Sequence, residues 1–259
     1  MATRPLHQQL RLTSLRAQVL IWVCFIGLTY NLWWLAPLGS LVIILLSFAA
    51  WPEANLERLG LRIPPRHALA GLVLLPLTTA FAWLIISYAT RIQGVILIPL
   101  WQKPHPLELI VHTIGQTLNE EMILGALLLT SLVSRFQRAP LLLVSAVVAA
   151  LFAVLHYIFY AWRPASMINY GVLSTITLLT IYAVGLLRNN LILAAGNIAF
   201  AWAVHLGWNL VFMDSSYVST AQARLAEPAV FNAVLGNVLV LGVIAAAAAG
   251  SVLYSRHVT

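Results

Sequence analysis

Long apolar runs separated by short polar loops dominate this 259-residue chain. A helix needs about 20 apolar residues to cross a bilayer. Eight runs approach that length, and we predict that each spans a membrane: 17–35, 37–52, 68–89, 107–133, 139–161, 167–187, 190–212 and 229–254. The second run is short, which indicates a tilted span or a tight hairpin with the first. The stretch 92–101 is too short to cross and suits a re-entrant or interfacial segment.

The composition favours a membrane protein over a soluble one. Hydrophobic residues make up 61% of the chain and charged residues 8%, with a mean hydropathy of +0.92. Soluble domains carry about 25% charged residues. We therefore predict an all-α polytopic membrane protein with two parts. Residues 1–66 form an N-terminal cytoplasmic segment, an accessory transmembrane hairpin and a basic loop, and residues 67–259 form the core.

The net charge of +7 comes from basic residues scattered through short loops. Because they form no stripe, we predict a lipid bilayer and no nucleic acid as partner. Lys and Arg favour cytoplasmic loops. A cytoplasmic N-terminus and eight spans put ten of the fourteen basic residues on that side: Arg4, Arg11, Arg16, Arg58, Arg62, Arg66, Arg135, Arg138, Arg188 and Arg256. The other four are Arg91, Lys103, Arg163 and Arg224. We expect both termini in the cytoplasm.

Two adjacent carboxylates, Glu120 and Glu121, lie in the middle of the apolar run 107–133. An ionised side chain at bilayer depth costs about 2.5–3.5 kcal/mol on insertion scales, so such residues are rare and mark functional sites by default. The pair must be neutralised by protons, a metal, cations or polar partners. His156 and His205, each inside its own apolar run, are the most suggestive partners.

Helical spacing separates the two carboxylates. His112, Gln116 and Glu120 recur every four residues and line one stripe, whereas Glu121 points about 100° away. We therefore expect the two glutamates to have different roles. The alternative is that one of them only pairs with a basic group to hold helices together.

The later spans repeat the spacing of four. Phe152 and His156 lie one turn apart in LFAVLHYIFYAW, and His205 and Asn209 lie one turn apart in GNIAFAWAVHLGWNL. Taken alone, a histidine on an apolar face is more often structural, and an asparagine in a membrane helix can link helices. Together with the carboxylate pair, they favour a functional site.

These residue types suit hydrolysis of a peptide bond. A buried glutamate can activate water as a general base. The histidines can orient that water, protonate the leaving amine or bind a metal, and an asparagine amide can donate to an oxyanion. The chain contains neither H-E-x-x-H nor G-x-S-x-G, which argues against the common zinc-protease and serine-hydrolase designs.

Three motifs in this order resemble the CPBP intramembrane proteases, which include the CAAX prenyl endopeptidases and Abi-type relatives. The motifs are Glu120-Glu121, Phe152-x-x-x-His156 and His205-x-x-x-Asn209, within roughly residues 107–212. The resemblance implies a conical core bundle with Glu120 as the water-activating residue, His156 and His205 as its partners and Asn209 at the oxyanion. We expect Glu121, Phe152 and His112 to support this site. The resemblance leaves open a glutamate or a metal mechanism, and Glu120, His156 and His205 would suit a three-ligand zinc site.

One departure concerns the first motif, which in the family usually reads E-E-x-x-x-R. Gly125 occupies the arginine position here. Glu121 is then protonated, paired with His112 or His156, or paired with a residue from another helix. The change indicates either a subfamily with another substrate or an inactive relative.

The charge-based orientation puts the site from the midplane toward the outer leaflet. A cytosolic prenylated tail suits such a site poorly, and a secreted protein held by a C-terminal hydrophobic anchor suits it better, as for relatives of the myxosortase type. We therefore expect a membrane-anchored protein substrate and a location in the bacterial inner membrane. A proton-coupled transporter and an inactive scaffold or immunity protein are the alternatives.

Overall fold

The computed structural model describes residues 36–50, 56–57, 59–161, 173–219, 225 and 227–258. The described chain is mostly helical, with nine α-helices: α1 Ala36–Ala50, α2 Pro65–Ile92, α3 Pro106–Glu120, α4 Leu128–Arg135, α5 Leu141–Ala161, α6 Thr175–Ala195, α7 Ala199–Phe212, α8 Glu227–Val234 and α9 Val238–Val258. A π-helical segment, Glu121–Leu127, joins α3 to α4 without a break. A 3₁₀ turn, Leu100–Gln102, precedes α3.

Three helices are long and apolar enough to cross a membrane by length and composition, namely Pro65–Ile92, Leu141–Ile158 and Thr175–Ala195. Two shorter apolar helices, Ala199–Phe212 and Val238–Leu253, accompany them within the ranges described. These findings make the chain a helical membrane protein. The predicted first span, 17–35, lies outside the described residues, and the full count of eight spans stays a prediction.

Sequence signals explain where the long helices begin and end. Pro65 occupies the first turn of α2, where its missing N–H costs nothing. The Ser174 Oγ accepts a hydrogen bond from the Thr177 N–H at 3.1 Å and so caps α6. That helix ends at Gly196, whose φ of 67° lies in the left-handed region that favours glycine.

The predicted boundary between the spans 167–187 and 190–212 is wrong. Helix α6 continues through Arg188 to Ala195, and the turn comes at Gly196–Ile198. Arg188 is therefore buried inside α6 instead of lying in a cytoplasmic loop, which reduces the predicted cytoplasmic set from ten basic residues to nine.

Polar contacts between helices allow the Arg-Asn-Asn run to remain helical. Asn189 donates to the Ser145 carbonyl at 2.9 Å, and Asn190 accepts from the Ser145 hydroxyl at 2.9 Å. Asn190 also donates to Ser251 in α9 at 3.1 Å. The side chains that suggested a loop thus join α6 to α5 and α9, since buried amides need hydrogen-bond partners.

A small antiparallel sheet adds to the predicted all-α fold. Strand β1, Val95–Ile98, lies within the stretch expected to be re-entrant or interfacial and pairs with β2, Ser216–Ser219. The register runs from Val95 opposite Ser219 to Ile98 opposite Ser216. The predicted last span, 229–254, is also divided, because α8 and α9 are separate helices with a break at 235–237.

Glycines let the helices approach closely around the site. A Cβ atom on Gly207 of α7 would lie 2.9 Å from the Leu75 carbonyl oxygen and 3.1 Å from the Thr79 nitrogen, both backbone atoms of α2. A Cβ on Gly185 of α6 would lie 2.9 Å from the Ala149 Cα of α5. These contacts fix α7 against α2 and α6 against α5, because real Cβ atoms do not come so close to backbone.

We predict that Gly207→Ala destabilises the protein by about 1–3 kcal/mol, because the added methyl group forces α7 away from α2. The matched control is Gly242→Ala in α9, whose Cβ would have no described atom within 4 Å. That change should be neutral or stabilising by up to about 1 kcal/mol. Thermal unfolding in one detergent measures both, and equal shifts would contradict the packing argument.

Candidate functional site

The carboxylate pair lies where the α-helix changes to a π-helix. Glu120 is the last residue of α3, and Glu121 is the first residue of the π segment. Every residue of that segment is buried. π-helical turns are uncommon and occur frequently at functional sites. Glu120 and Glu121 are themselves almost fully enclosed, with 3% and 0% of their surfaces exposed.

Both carboxylates converge on one imidazole, that of His205 in α7. The His205 Nδ1 lies 2.8 Å from the Glu121 Oε1, which is a hydrogen bond. The other ring nitrogen, Nε2, lies 3.9 Å from the Glu120 Oε2. Glu121 was expected to face elsewhere, but its long side chain reaches the same ring from its own side of the helix. The two glutamates contact different nitrogens of this ring, which is compatible with different roles.

Arg188 supplies the cation beside Glu121. Its Nε lies 3.2 Å from the Glu121 Oε1, and the side chain is only 2% exposed. The contact is an ion pair without hydrogen-bond alignment, because the guanidinium nitrogens lack a hydrogen-bond partner among the described residues. The guanidinium also lies over the Phe152 ring, 4.1 Å from its centroid. A cation on an aromatic face is stabilised when both are desolvated.

Gly125 lies next to this ion pair. A Cβ on Gly125 would lie 2.9 Å from the Glu121 Oε2, 2.7 Å from the Ile192 Cδ1 and 3.8 Å from the Arg188 Nη2. Of the pairings considered for Glu121, the one with residues from other helices is observed. Its partners are Arg188 of α6 and His205 of α7.

His156 belongs to the same cluster. Its Nδ1 donates to the Phe152 carbonyl oxygen at 2.8 Å, because a carbonyl can only accept. Its ring meets the Phe152 ring edge to face, with centroids 4.4 Å apart. The same Phe152 ring lies under the Arg188 guanidinium, which pairs with Glu121. Glu120 and His205 therefore face each other directly, and His156 is linked to them through Phe152, Arg188 and Glu121.

The remaining predicted residues lie on the helices that carry this cluster. Asn209 is buried one turn after His205 in α7. His112 is half-buried two turns before Glu120 in α3, and Gln116 lies between them. The Gln116 Nε2 is 3.4 Å from the Glu120 Oε1, which agrees with the predicted stripe.

The zinc site suggested by the resemblance does not fit these side chains. Zinc needs ligand atoms directed at one point about 2.0–2.2 Å away. The Nδ1 bonds of His205 to Glu121 and of His156 to the Phe152 carbonyl do not decide this, because zinc-binding histidines commonly donate their other ring N–H in the same way. The grouping of the side chains decides it. Across the residues that the structure describes, no three His, Cys, Asp or Glu side chains are grouped so that they could hold a metal ion.

Comparisons with protein-family models, with curated proteins and with solved structures find no match to this chain. What can be inferred about function therefore depends on the residues and their geometry.

Sequence reasoning missed Arg188. The predicted span boundary between 187 and 190 puts this residue in a cytoplasmic loop. One signal bears on it: with glycine at 125, Glu121 lacks the expected cation, and a residue from another helix is among its possible partners.

Asp214, in the turn after α7, joins that helix to α3. The Thr113 hydroxyl lies 2.8 and 2.9 Å from the two carboxyl oxygens of Asp214. Burial raises the pKa of this carboxyl to about 6, although the Thr113 hydroxyl and Lys103 act to lower it. Trp202 adds a second link, because its Nε1–H donates to the Thr117 hydroxyl at 3.0 Å. These contacts hold α7, and with it His205, against the helix of Glu120.

We predict that Arg188→Leu lowers the free energy of unfolding by about 3–5 kcal/mol, because it leaves the buried Glu121 charge unbalanced. The double variant Glu121→Gln/Arg188→Leu should lose much less than the sum of the single changes. Denaturant unfolding of the four proteins of this cycle gives the coupling energy.

The exposed pair of Arg62 and Glu57, 3.7 Å apart, provides the control for this cycle. Arg62→Leu should change the free energy of unfolding by less than about 1 kcal/mol. Additive effects at 121 and 188 would contradict the buried ion pair.

A second prediction concerns pH. The folded state holds the Asp214 proton more tightly than the unfolded chain, in which the pKa of an aspartate is about 3.9. The contribution of Asp214 to the free energy of unfolding is therefore fully present below about pH 4 and is lost as the pH rises to about 6. Over this pH range, the free energy of unfolding should fall by about 3 kcal/mol at most.

Unfolding measured between pH 4 and 7 checks this assignment. Asp214→Asn should remove the decline, since an amide does not titrate, whereas Thr113→Val should make it steeper by removing a donor to the ionised form. A decline of equal size in Asp214→Asn would mean that another group is responsible.

Proposed function

We propose that this protein is an intramembrane endopeptidase of the CPBP type. It hydrolyses a peptide bond near the C-terminal hydrophobic anchor of a membrane-tethered or secreted protein. The enzyme works in the bacterial inner membrane with both termini in the cytoplasm, and eight spans form its conical bundle. The three apolar helices of membrane-spanning length and the buried contacts of Glu120 and Glu121 with His205 support this proposal.

The observation that carries the proposal is the arrangement of His205 between the two glutamates. Glu121 accepts the hydrogen bond from Nδ1, and Nε2 faces the Glu120 carboxylate at 3.9 Å. A water molecule could lie between these two atoms, about 2.8 Å from each, which is ordinary hydrogen-bond geometry. Its two hydrogens would then have the Glu120 carboxylate and the His205 Nε2 as acceptors.

In the first step, Glu120 removes a proton from this water while the oxygen attacks the carbonyl carbon of the substrate. A bond forms between oxygen and carbon, and the carbonyl becomes an oxyanion. The Asn209 amide, on the same helix face as His205, donates a hydrogen bond to that oxyanion. Enclosure of the cluster strengthens both effects, because little water competes for the charges.

In the second step, the bond between carbon and nitrogen breaks and the leaving amine takes up the proton. That proton is the one Glu120 removed from water. His156 suits its relay, because its Nδ1–H is donated to the Phe152 carbonyl and its Nε2, turned away from that bond, can accept the proton from Glu120 and pass it to the amine. The products are a carboxylic acid and an amine, so one water is consumed for each bond. A positioned acid or base contributes about a hundredfold to ten-thousandfold to the rate.

We predict that Glu120→Gln lowers the rate of cleavage at least about a hundredfold and leaves the fold intact. The assay uses a tagged secreted reporter with a C-terminal hydrophobic anchor, produced in the same membrane, and measures loss of its tail by immunoblot. Glu108→Gln is the matched control, because Glu108 is an exposed glutamate on the same helix, α3. It should cleave normally.

Three outcomes would overturn the proposal. The first is a reporter that keeps its tail in the presence of the unaltered protein. The second is pH-dependent flux in proteoliposomes that Glu120→Gln abolishes, which would favour a proton-coupled transporter. The third is an unchanged biological phenotype after alanine substitution of His156 and His205, which would indicate a scaffold or immunity protein.

A further inference from the structure

Arg188, Glu121 and His205 form a chain of contacts that ends at the Nδ1 ring nitrogen of His205. One oxygen, Glu121 Oε1, receives both the His205 Nδ1 at 2.8 Å and the Arg188 Nε at 3.2 Å. All three side chains are at least nine-tenths buried. The state of Glu121 is therefore set by its neighbours inside the protein.

The consequence follows from which groups can donate. An ionised carboxylate can only accept, so beside a charged Glu121 the Nδ1 of His205 must be the protonated nitrogen. A neutral imidazole carries one N–H, which leaves Nε2 able to accept. If Glu121 were protonated, its O–H could donate to Nδ1 and the ring proton would move to Nε2. That nitrogen could then no longer accept a hydrogen bond from a water beside Glu120.

Gly125 makes room for this arrangement. Its missing Cβ leaves space bordered by the Glu121 Oε2, the Ile192 Cδ1 and the Arg188 Nη2. A side chain at 125 would start within 3.8 Å of the Arg188 guanidinium, so an arginine there could deliver its charge to the same carboxylate. The two closest atoms, Glu121 Oε2 and Ile192 Cδ1, are ends of flexible side chains that can rotate away.

We propose that Arg188 is a positioning residue that holds the Glu121 carboxylate as the hydrogen-bond acceptor of His205 Nδ1 and thereby holds His205 in the tautomer with its proton on Nδ1. The same charge delivered from position 125 fulfils this role. This inference rests on the proposed function for its catalytic meaning, but its physical content is the state of one histidine ring.

The test is nuclear magnetic resonance of the full chain with isotope-labelled histidine in lipid nanodiscs. Ring-nitrogen shifts distinguish a nitrogen that bears hydrogen from one that does not, and loss of one signal set in His205→Asn assigns it to His205. We expect Nδ1–H in the unaltered protein, a change to Nε2–H in Arg188→Gln, and a return to Nδ1–H in Gly125→Arg/Arg188→Gln. Arg138→Gln, at an exposed arginine, is the control that leaves the spectrum unchanged.

Each other result overturns the proposal. Persistence of Nδ1–H in Arg188→Gln means that Arg188 does not set the tautomer, and a doubly protonated His205 in the unaltered protein means that no tautomer is selected. If Arg188→Gln fails to fold, the double variant Gly125→Arg/Arg188→Gln (the exchange variant) decides, because it must regain both the fold and Nδ1–H. The spectra need no substrate, so they stand whether or not the reporter is cleaved.

Cleavage of the anchored reporter then links the tautomer to catalysis. Activity should fall at least tenfold in Arg188→Gln and recover in the exchange variant in parallel with the Nδ1–H signal. Recovery of the signal with no recovery of activity would remove the proposed role in catalysis. An inactive unaltered protein would remove the proposed function instead and leave the tautomer result in place.

Discussion

The buried charge of Glu121 is the constraint on which the arrangement of the central helices depends. A carboxylate with no exposed surface has lost its hydration, and only nearby opposite charges and hydrogen-bond donors can compensate for that loss. The compensation comes from Arg188 of α6 and His205 of α7. Three separate parts of the chain must therefore meet at one oxygen atom, which fixes their depth and rotation.

The packing around this point is consistent with that requirement. Gly185 brings α6 against α5, so that the Phe152 ring can lie under the Arg188 guanidinium. Gly207 brings α7 against α2, between the turns that carry His205 and Asn209. Small residues at such crossings are typical of membrane helices, where close backbone contact replaces the hydrophobic effect as the source of association.

The sequence predicted well the features that depend on local pattern. The spans 68–89 and 139–161 agree with α2 and α5 to within three residues at each end, because long apolar runs leave few alternatives. The contact between Glu120 and His205 was also predicted, because polar side chains buried in apolar runs need polar partners.

Features that depend on distant contacts were missed. Arg188 looks like a loop residue until its partners on other helices are known. The sheet of 95–98 with 216–219 joins segments more than a hundred residues apart, and neither four-residue strand is distinctive alone. The π segment after Glu120 lacks a sequence signature, since its wider turn depends on the side chains packed around it. The first expected span lies outside the described residues.

The order of the ion cluster along the chain has a consequence for biosynthesis. Glu121 is translated 67 residues before Arg188 and 84 residues before His205. During synthesis, α3 therefore precedes both partners, and its carboxylates lack these contacts until α6 and α7 have been made. A ribosome-bound chain that ends before α6 would hold two acidic groups in an apolar helix without these partners, an arrangement that is costly inside a bilayer. Arrival of the arginine supplies the first partner of Glu121, and the ion cluster is complete only when α7 has delivered His205.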